Sequence, residues 1–123
     1  MDPITGVSLA RIGLGAVAIA SPDQAAKLFG LDAARNQQLP YVTRLFGGRE
    51  VALGLVTLAA PKAARKRIVT LGVAVDAIDA AAGVSMGTQG RVPQSRAAML
   101  TAPALLAVIA GISDLLPRRN DSA

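Results

Sequence analysis

Ile68-Val-Thr-Leu-Gly-Val-Ala-Val-Asp76-Ala-Ile-Asp79-Ala-Ala-Ala-Gly83-Val-Ser-Met86 decides how this chain is read. The run lacks the strict alternation of apolar and polar residues that marks a half-buried strand. As a helix rising 1.5 Å per residue it crosses most of a hydrocarbon core about 30 Å thick. Two carboxylates lie in its middle. A single charge at the centre of a bilayer costs from about 2.5 to over 10 kcal/mol, so such residues persist where they pair or face a polar interior. Gly72, Asp76, Asp79 and Gly83 stand at i, i+4, i+7 and i+11, which puts them on one helix face. The glycines let a neighbouring helix come close. The two acids, one turn apart in a low dielectric, need a cation or a shared proton.

Three further apolar segments flank this one. Ile4 to Ala20 is interrupted by Arg11. Tyr41 to Ala60, stopped by Pro61, carries Arg44, Arg49 and Glu50. Arg96 to Leu116 contains Pro103 and, near its end, Asp114; its stretch from Ala97 to Ser113 is uncharged. After the first segment, Ser21-Pro-Asp-Gln-Ala-Ala-Lys predicts a short amphipathic helix. Ser21 is its N-cap, Pro22 its first residue and Gly30 its stop. A soluble bundle would show a polar face on every helix; here the faces opposite the charges are apolar as well. The predicted fold is all-α: a four-helix transmembrane bundle in one domain, residues 1–123, with spans near 4–20, 41–60, 68–86 and 96–116. Ala18-Ile-Ala20 looks like a signal-peptide cleavage site. However, Met-Asp-Pro lacks a basic n-region and Arg11 is misplaced, so the segment is expected to stay as the first span.

The charges inside the spans form the candidate site. Gly47, Glu50 and Gly54 share one side of the second span, and Arg49 points about 100° away from Glu50. Arg11 shares a face with Ser8, Gly15 and Ala18. The acids Glu50, Asp76 and Asp79 then face the cations Arg11, Arg44 and Arg49, an expected network of three against three. Its first reading is structural, fixing helix register and packing. Its second is a binding or catalytic pocket with Asp76, Asp79 and Glu50 as acid–base candidates. Asp114 is expected at the interface near Arg118 and Arg119. Gly13-Leu-Gly15 is no dinucleotide fingerprint, since no strand precedes it, and Gly47-Gly-Arg-Glu is no phosphate loop.

Composition narrows the chemistry. Of 123 residues 52% are hydrophobic, 2% aromatic and 17% charged. Soluble domains average about 25% charged, so the chain is poor in charge. Cysteine and histidine are both absent. Thiolate chemistry, disulfides and the commonest metal and haem ligands are thereby removed. No metal site and no cofactor is expected. The net charge of +5 could suggest nucleic acid. Its densest cluster, Lys62-Ala-Ala-Arg-Lys-Arg67, lies between two apolar segments, as in a cytoplasmic loop. Nucleic acid is therefore not an expected partner. Lys62, Arg65, Lys66, Arg67, Arg118 and Arg119 fall on one side, against Lys27, Arg35, Arg91 and Arg96 on the other. This predicts a multi-pass protein of the inner (plasma) membrane with both termini cytoplasmic.

Arg11 with Gly13, Leu28-Phe-Gly-Leu31, and Arg44-Leu-Phe-Gly-Gly-Arg-Glu-Val-Ala-Leu-Gly-Leu55 carry a resemblance. The chain resembles a family of small four-helix, mostly actinobacterial membrane proteins with a domain of unknown function, DoxX-like in outline. Gly-x-Arg-Glu-x-x-Leu-Gly, from Gly47 to Gly54, is the most specific part, and Asp76 and Asp79 fit the acidic third helix of the pattern. The resemblance implies four spans. Some DoxX-like proteins are linked to quinone and sulfur redox complexes; this chain has no Cys or His with which to hold a redox centre.

Three functions follow from these residues. The first is a non-catalytic accessory or small-ligand-binding membrane protein in contact with the bilayer, as a homo-oligomer or in a larger complex, with an apolar small molecule as ligand. The second is a membrane-embedded acid–base enzyme, of isomerase or epoxide-hydrolase type. The third is a small transporter or channel. An enzyme needs a closed cavity of about 300 Å³ or more reaching the charges. A channel needs a continuous wet path, and an accessory protein needs neither.

Overall fold

Asp2 starts the first helix. Its carboxylate accepts the Thr5 backbone N–H at 2.8 Å, and Pro3 takes the first helical position, where a missing N–H costs nothing. The Thr5 N–H holds the Asp2 carboxyl below the usual carboxylate range. The computed structural model describes residues 2–32 and 34–117. Every regular element among them is helical: α1 (Pro3–Ala20), α2 (Pro22–Leu28), α3 (Leu39–Ala59), α4 (Lys62–Thr88) and α5 (Gln94–Leu115). The expected all-α architecture and the short helix after the first long one are both present. Arg118, Arg119 and the rest of the polar tail lie outside the described residues.

Glycine and proline punctuate the chain. Gly30 and Gly90 adopt φ of +72° and +68°, the left-handed conformation that ends α2 and the α4–α5 turn. The expected basic loop is helical. Pro61 is the N-cap of α4, and Lys62-Ala-Ala-Arg-Lys-Arg67 forms its first turns, leaving only Ala60 and Pro61 between α3 and α4. Ala, Lys and Arg are strong helix formers, and a proline with extended ψ just before them gives the start. Pro103 sits inside α5, where it cannot donate to the Met99 carbonyl.

The long helices alternate in direction and pack as two hairpins. In the first, α1 and α3 meet through small residues. Gly15 lies so close to α3 that a Cβ there would be 2.5 Å from the Gly47 carbonyl oxygen, and a Cβ on Gly54 would be 2.7 Å from the Ser8 carbonyl oxygen. In the second, Gly83 and Gly87 of α4 face Thr101 and Ala97 of α5, and Gly111 of α5 faces Val73. Contact between the two hairpins is looser, and ion pairs span the seam. At the end holding the α1 N-terminus, Arg65 of α4 reaches Asp114 of α5 at 3.0 Å and Asp2 at 3.4 Å. Asp114 thus has Arg65 as partner; its expected neighbours Arg118 and Arg119 are not among the described residues.

The distribution of side chains is inverted relative to a soluble bundle. The buried apolar residues are Ile4, Ala18, Ala25, Ala26, Val69, Ala80 and Ala97, most of them small, and beside them Ser8, Glu50, Asp76 and Thr101 are buried. Large apolar side chains point outward, among them Leu55, Leu71, Ile78, Leu106 and Ile109. Helices α1, α4 and α5 are long and apolar enough to cross a membrane. Helix α3 is also long, with 21 residues, but any stretch of it long enough to cross carries Arg44, Arg49 and Glu50.

Candidate functional site

The site grows from one register on each of three helices. On α1, Ser8, Gly15 and Ala18 are buried against α3, and Arg11, on the same side, is carried to the edge of that contact. On α3, Gly47, Glu50 and Gly54 are the buried residues. The two glycines let α1 in, and Glu50 lies between them, opposite Arg11. On α4, Asp76 is buried and Asp79 is less so. Gly72 does not admit a helix; the space over it is taken by the Arg11 guanidinium, whose Nη2 would be 3.7 Å from a Cβ there.

Arg11 is the hub. Its Nη1 donates to Glu50 Oε2 at 2.8 Å, and its Nη2 donates to Asp76 Oδ2. The side chains of Arg11, Glu50 and Asp76 are 11%, 6% and 4% exposed, so this triad is desolvated. Arg49 makes the second junction. Its Nη2 donates to Asp79 Oδ2 at 2.7 Å and, more weakly, to Glu50 Oε1 at 3.4 Å. It lies 5.3 Å from the Phe46 ring centre, a cation–π distance. Among the described residues no buried side-chain nitrogen or oxygen lacks a hydrogen-bond partner. That matters because removing one partner of a buried pair costs far more than the pair itself contributes.

Five of the six expected residues meet: Arg11, Arg49, Glu50, Asp76 and Asp79. Arg44 does not join them. It lies further toward the start of α3, at the α1 C-terminus, where its Nε donates to the Ile19 carbonyl at 3.2 Å, and its side chain is exposed. A cation at that end satisfies one of the carbonyls a helix leaves free. The expected three against three is therefore two guanidiniums against three carboxylates.

Above this network lies a cavity of about 720 Å³. Arg11, Arg49, Glu50, Asp76 and Asp79 all line it, and most of the remaining wall is apolar: Val7, Leu14, Phe46, Met86, Leu100 and Ala107 among others. Ala25, Ala26 and Phe29 close one end, so α2 covers the cavity. Phe29 and Phe46, the chain's two phenylalanines, meet edge to face with centroids 6.5 Å apart. Neither phenylalanine stood out as a site residue in the sequence. The available signal was their scarcity in a chain otherwise built of Ala, Val, Leu and Ile. Val42 and Leu106 line the cavity while also being 56% and 67% exposed, and the lining Arg49 side chain is 41% exposed, so the cavity opens outward past these residues. Leu106 lies at the middle of α5. Arg11 and Asp76 also line a second, much smaller void of about 20 Å³ on the far side of the pair, among Ile4, Ser8, Thr57 and Val69.

No curated protein and no solved structure matches the chain. One family model does, over residues 8–113, a range that holds all five network residues and most of the cavity wall. The chain belongs to that family, the domain of unknown function DUF4267.

Proposed function

We propose that this chain is a four-span integral protein of the inner (plasma) membrane that holds a small apolar molecule with a polar head in its central cavity. The cavity is the observation that carries this reading. At about 720 Å³ it falls in the range of small-molecule sites, and its apolar walls converge on a few polar groups, the usual composition of such sites. Val42 and Leu106 at its opening are apolar, and Leu106 lies at the middle of α5. A ligand dissolved in the acyl chains would reach it sideways, without passing through water. The outward Leu, Ile and Val side chains suit lipid contact. Helix α3 is the fourth span in this reading: Arg49 and Glu50 are paired within the bundle, and Arg44 donates to the Ile19 carbonyl at the α1 end.

The geometry favours binding over the other roles. Each of the three carboxylates accepts a hydrogen bond from a guanidinium, which suits holding a ligand better than passing a proton. The Arg11–Asp76 pair stands between the large cavity and the small void beyond it, and so interrupts a path along the bundle axis.

Two experiments test the reading. The native chain has no cysteine, so single cysteines report orientation cleanly. With the basic start of α4 in the cytoplasm, Ala64→Cys is protected from an impermeant thiol reagent in intact cells and Gln89→Cys is labelled. The reverse pattern would overturn the orientation. For the cavity, the protein in phosphatidylcholine nanodiscs binds decanol saturably, relative to empty nanodiscs. Ala104→Trp, which places an indole inside the cavity wall, removes that binding. Identical titrations for both proteins would mean that the cavity is not the site.

A further inference from the structure

We propose that the ligand of this cavity is a lipophilic cation, an apolar molecule carrying a protonated amine, and that Asp79 is the residue that receives it. This rests on the reading of the cavity as a small-molecule site and adds the chemical class. The first ground is charge. The five-residue network holds Glu50, Asp76 and Asp79 against Arg11 and Arg49, one negative charge in excess. Both terminal nitrogens of Arg11 are committed, one to Glu50 and one to Asp76. A single nitrogen of Arg49 serves both Asp79 and Glu50. Among the described residues no other cation forms an ion pair with these acids: Arg44 is turned to the Ile19 carbonyl and Arg65 to Asp2 and Asp114. An uncompensated charge within a bilayer is costly; a proton on the carboxylates relieves it in the free protein, and a cationic ligand relieves it on binding.

The second ground is position. Of the three carboxylates Asp79 is the most open, 27% exposed against 6% for Glu50 and 4% for Asp76, and it lines the large cavity. Only its Oδ2 accepts a hydrogen bond from the described residues, which leaves Oδ1 for an incoming N–H. Phe46 lines the same cavity, and its ring faces the Arg49 guanidinium that bonds Asp79. The apolar remainder of the molecule then lies along Leu100, Met86 and Leu14.

Decylamine, decanol and decanoate share one tail and differ in the head, so they separate the cavity from its charge. Each is titrated into the full chain in phosphatidylcholine nanodiscs near neutral pH, with empty nanodiscs as the blank. Wild type binds decylamine at least about tenfold more tightly than decanol, the factor a charge-assisted hydrogen bond brings, and binds decanoate more weakly than decanol. The amine-to-alcohol ratio falls to parity in Asp79→Asn and widens in Arg49→Gln, which removes a competing cation. Should Asp79→Asn fail to fold, the wild-type ratio and the Arg49→Gln shift still decide. Equal binding of amine and alcohol by wild type would overturn the cationic ligand and leave the cavity reading standing. Tightest binding of decanoate would do the same, and a ratio unchanged in Asp79→Asn would overturn the role of Asp79. Absence of binding by all three would overturn the cavity reading and this inference with it.

Discussion

Arg11→Met lowers the stability of the bundle by about 3–5 kcal/mol, the cost of breaking a buried pair and leaving its partner uncompensated. Here two partners are abandoned. Glu50 and Asp76 both depend on this guanidinium, and both are nearly inaccessible. Methionine follows the course of the arginine stem, so the loss reflects charge and hydrogen bonding more than a void. Unfolding by sodium dodecyl sulfate in mixed micelles reads the difference. Adding Glu50→Gln and Asp76→Asn to Arg11→Met recovers much of it, since all three charges are then gone together. Arg49→Met is the comparison. Its side chain is 41% exposed and its partner Asp79 27%, facing the cavity rather than packed between helices, so its loss costs less than that of Arg11. If Arg11→Met unfolds at the same detergent fraction as wild type, the triad contributes nothing to stability and its role here is misassigned.

The second large effect is steric. Gly15→Val destabilises the first hairpin by about 3 kcal/mol or more, at or beyond the upper end for overpacking. A Cβ at Gly15 would stand 2.5 Å from the Gly47 carbonyl oxygen and 3.0 Å from the Val51 nitrogen, both backbone atoms that cannot swing aside. The helices must separate, and because Arg11 is one turn away the Arg11–Glu50 bond lengthens with them. Gly13 is the internal control. Nothing lies within 4 Å of a Cβ built there, so Gly13→Ala is neutral or stabilising by about 0.5–1 kcal/mol through helix propensity. The same unfolding titration should shift to lower detergent for Gly15→Val and stay in place or shift higher for Gly13→Ala. Equal behaviour would mean that α1 and α3 do not meet at this seam.

What could be read from the residues divides along a physical line. Angular arithmetic on a single helix needs only the 3.6-residue period. It put Gly47, Glu50 and Gly54 on one side of α3, and Ser8, Arg11, Gly15 and Ala18 on one side of α1. The structure uses both faces to pack those helices together. The period is silent on which helix a face meets and at what depth. From sequence alone Arg44 therefore falls with the acids although it caps α1, and Arg65 falls in a loop although it joins α1 and α5 to α4. Gly72 and Gly83 share a face of α4, yet one accommodates a side chain of α1 and the other the Thr101 region of α5. The cavity was beyond reach for the same reason. A void is defined by what several helices fail to fill together, and no single segment records it.

The seam between the hairpins also has a consequence for biosynthesis. Helices α1 to α3 leave the ribosome before α4 and α5. In the proposed four-span arrangement the first hairpin would enter the membrane with Arg11 and Arg49 and a single acid, Glu50; the second would bring Asp76 and Asp79 and no cation to the group. Each half can close its own small-residue interface, and each is left with the charge the other lacks. Lipid offers little hydrophobic drive for two such modules to find one another. In that arrangement the unmatched charges would supply the drive, and the observed pairs, Asp76 at Arg11 and Asp79 at Arg49, would fix the register of the late-arriving half.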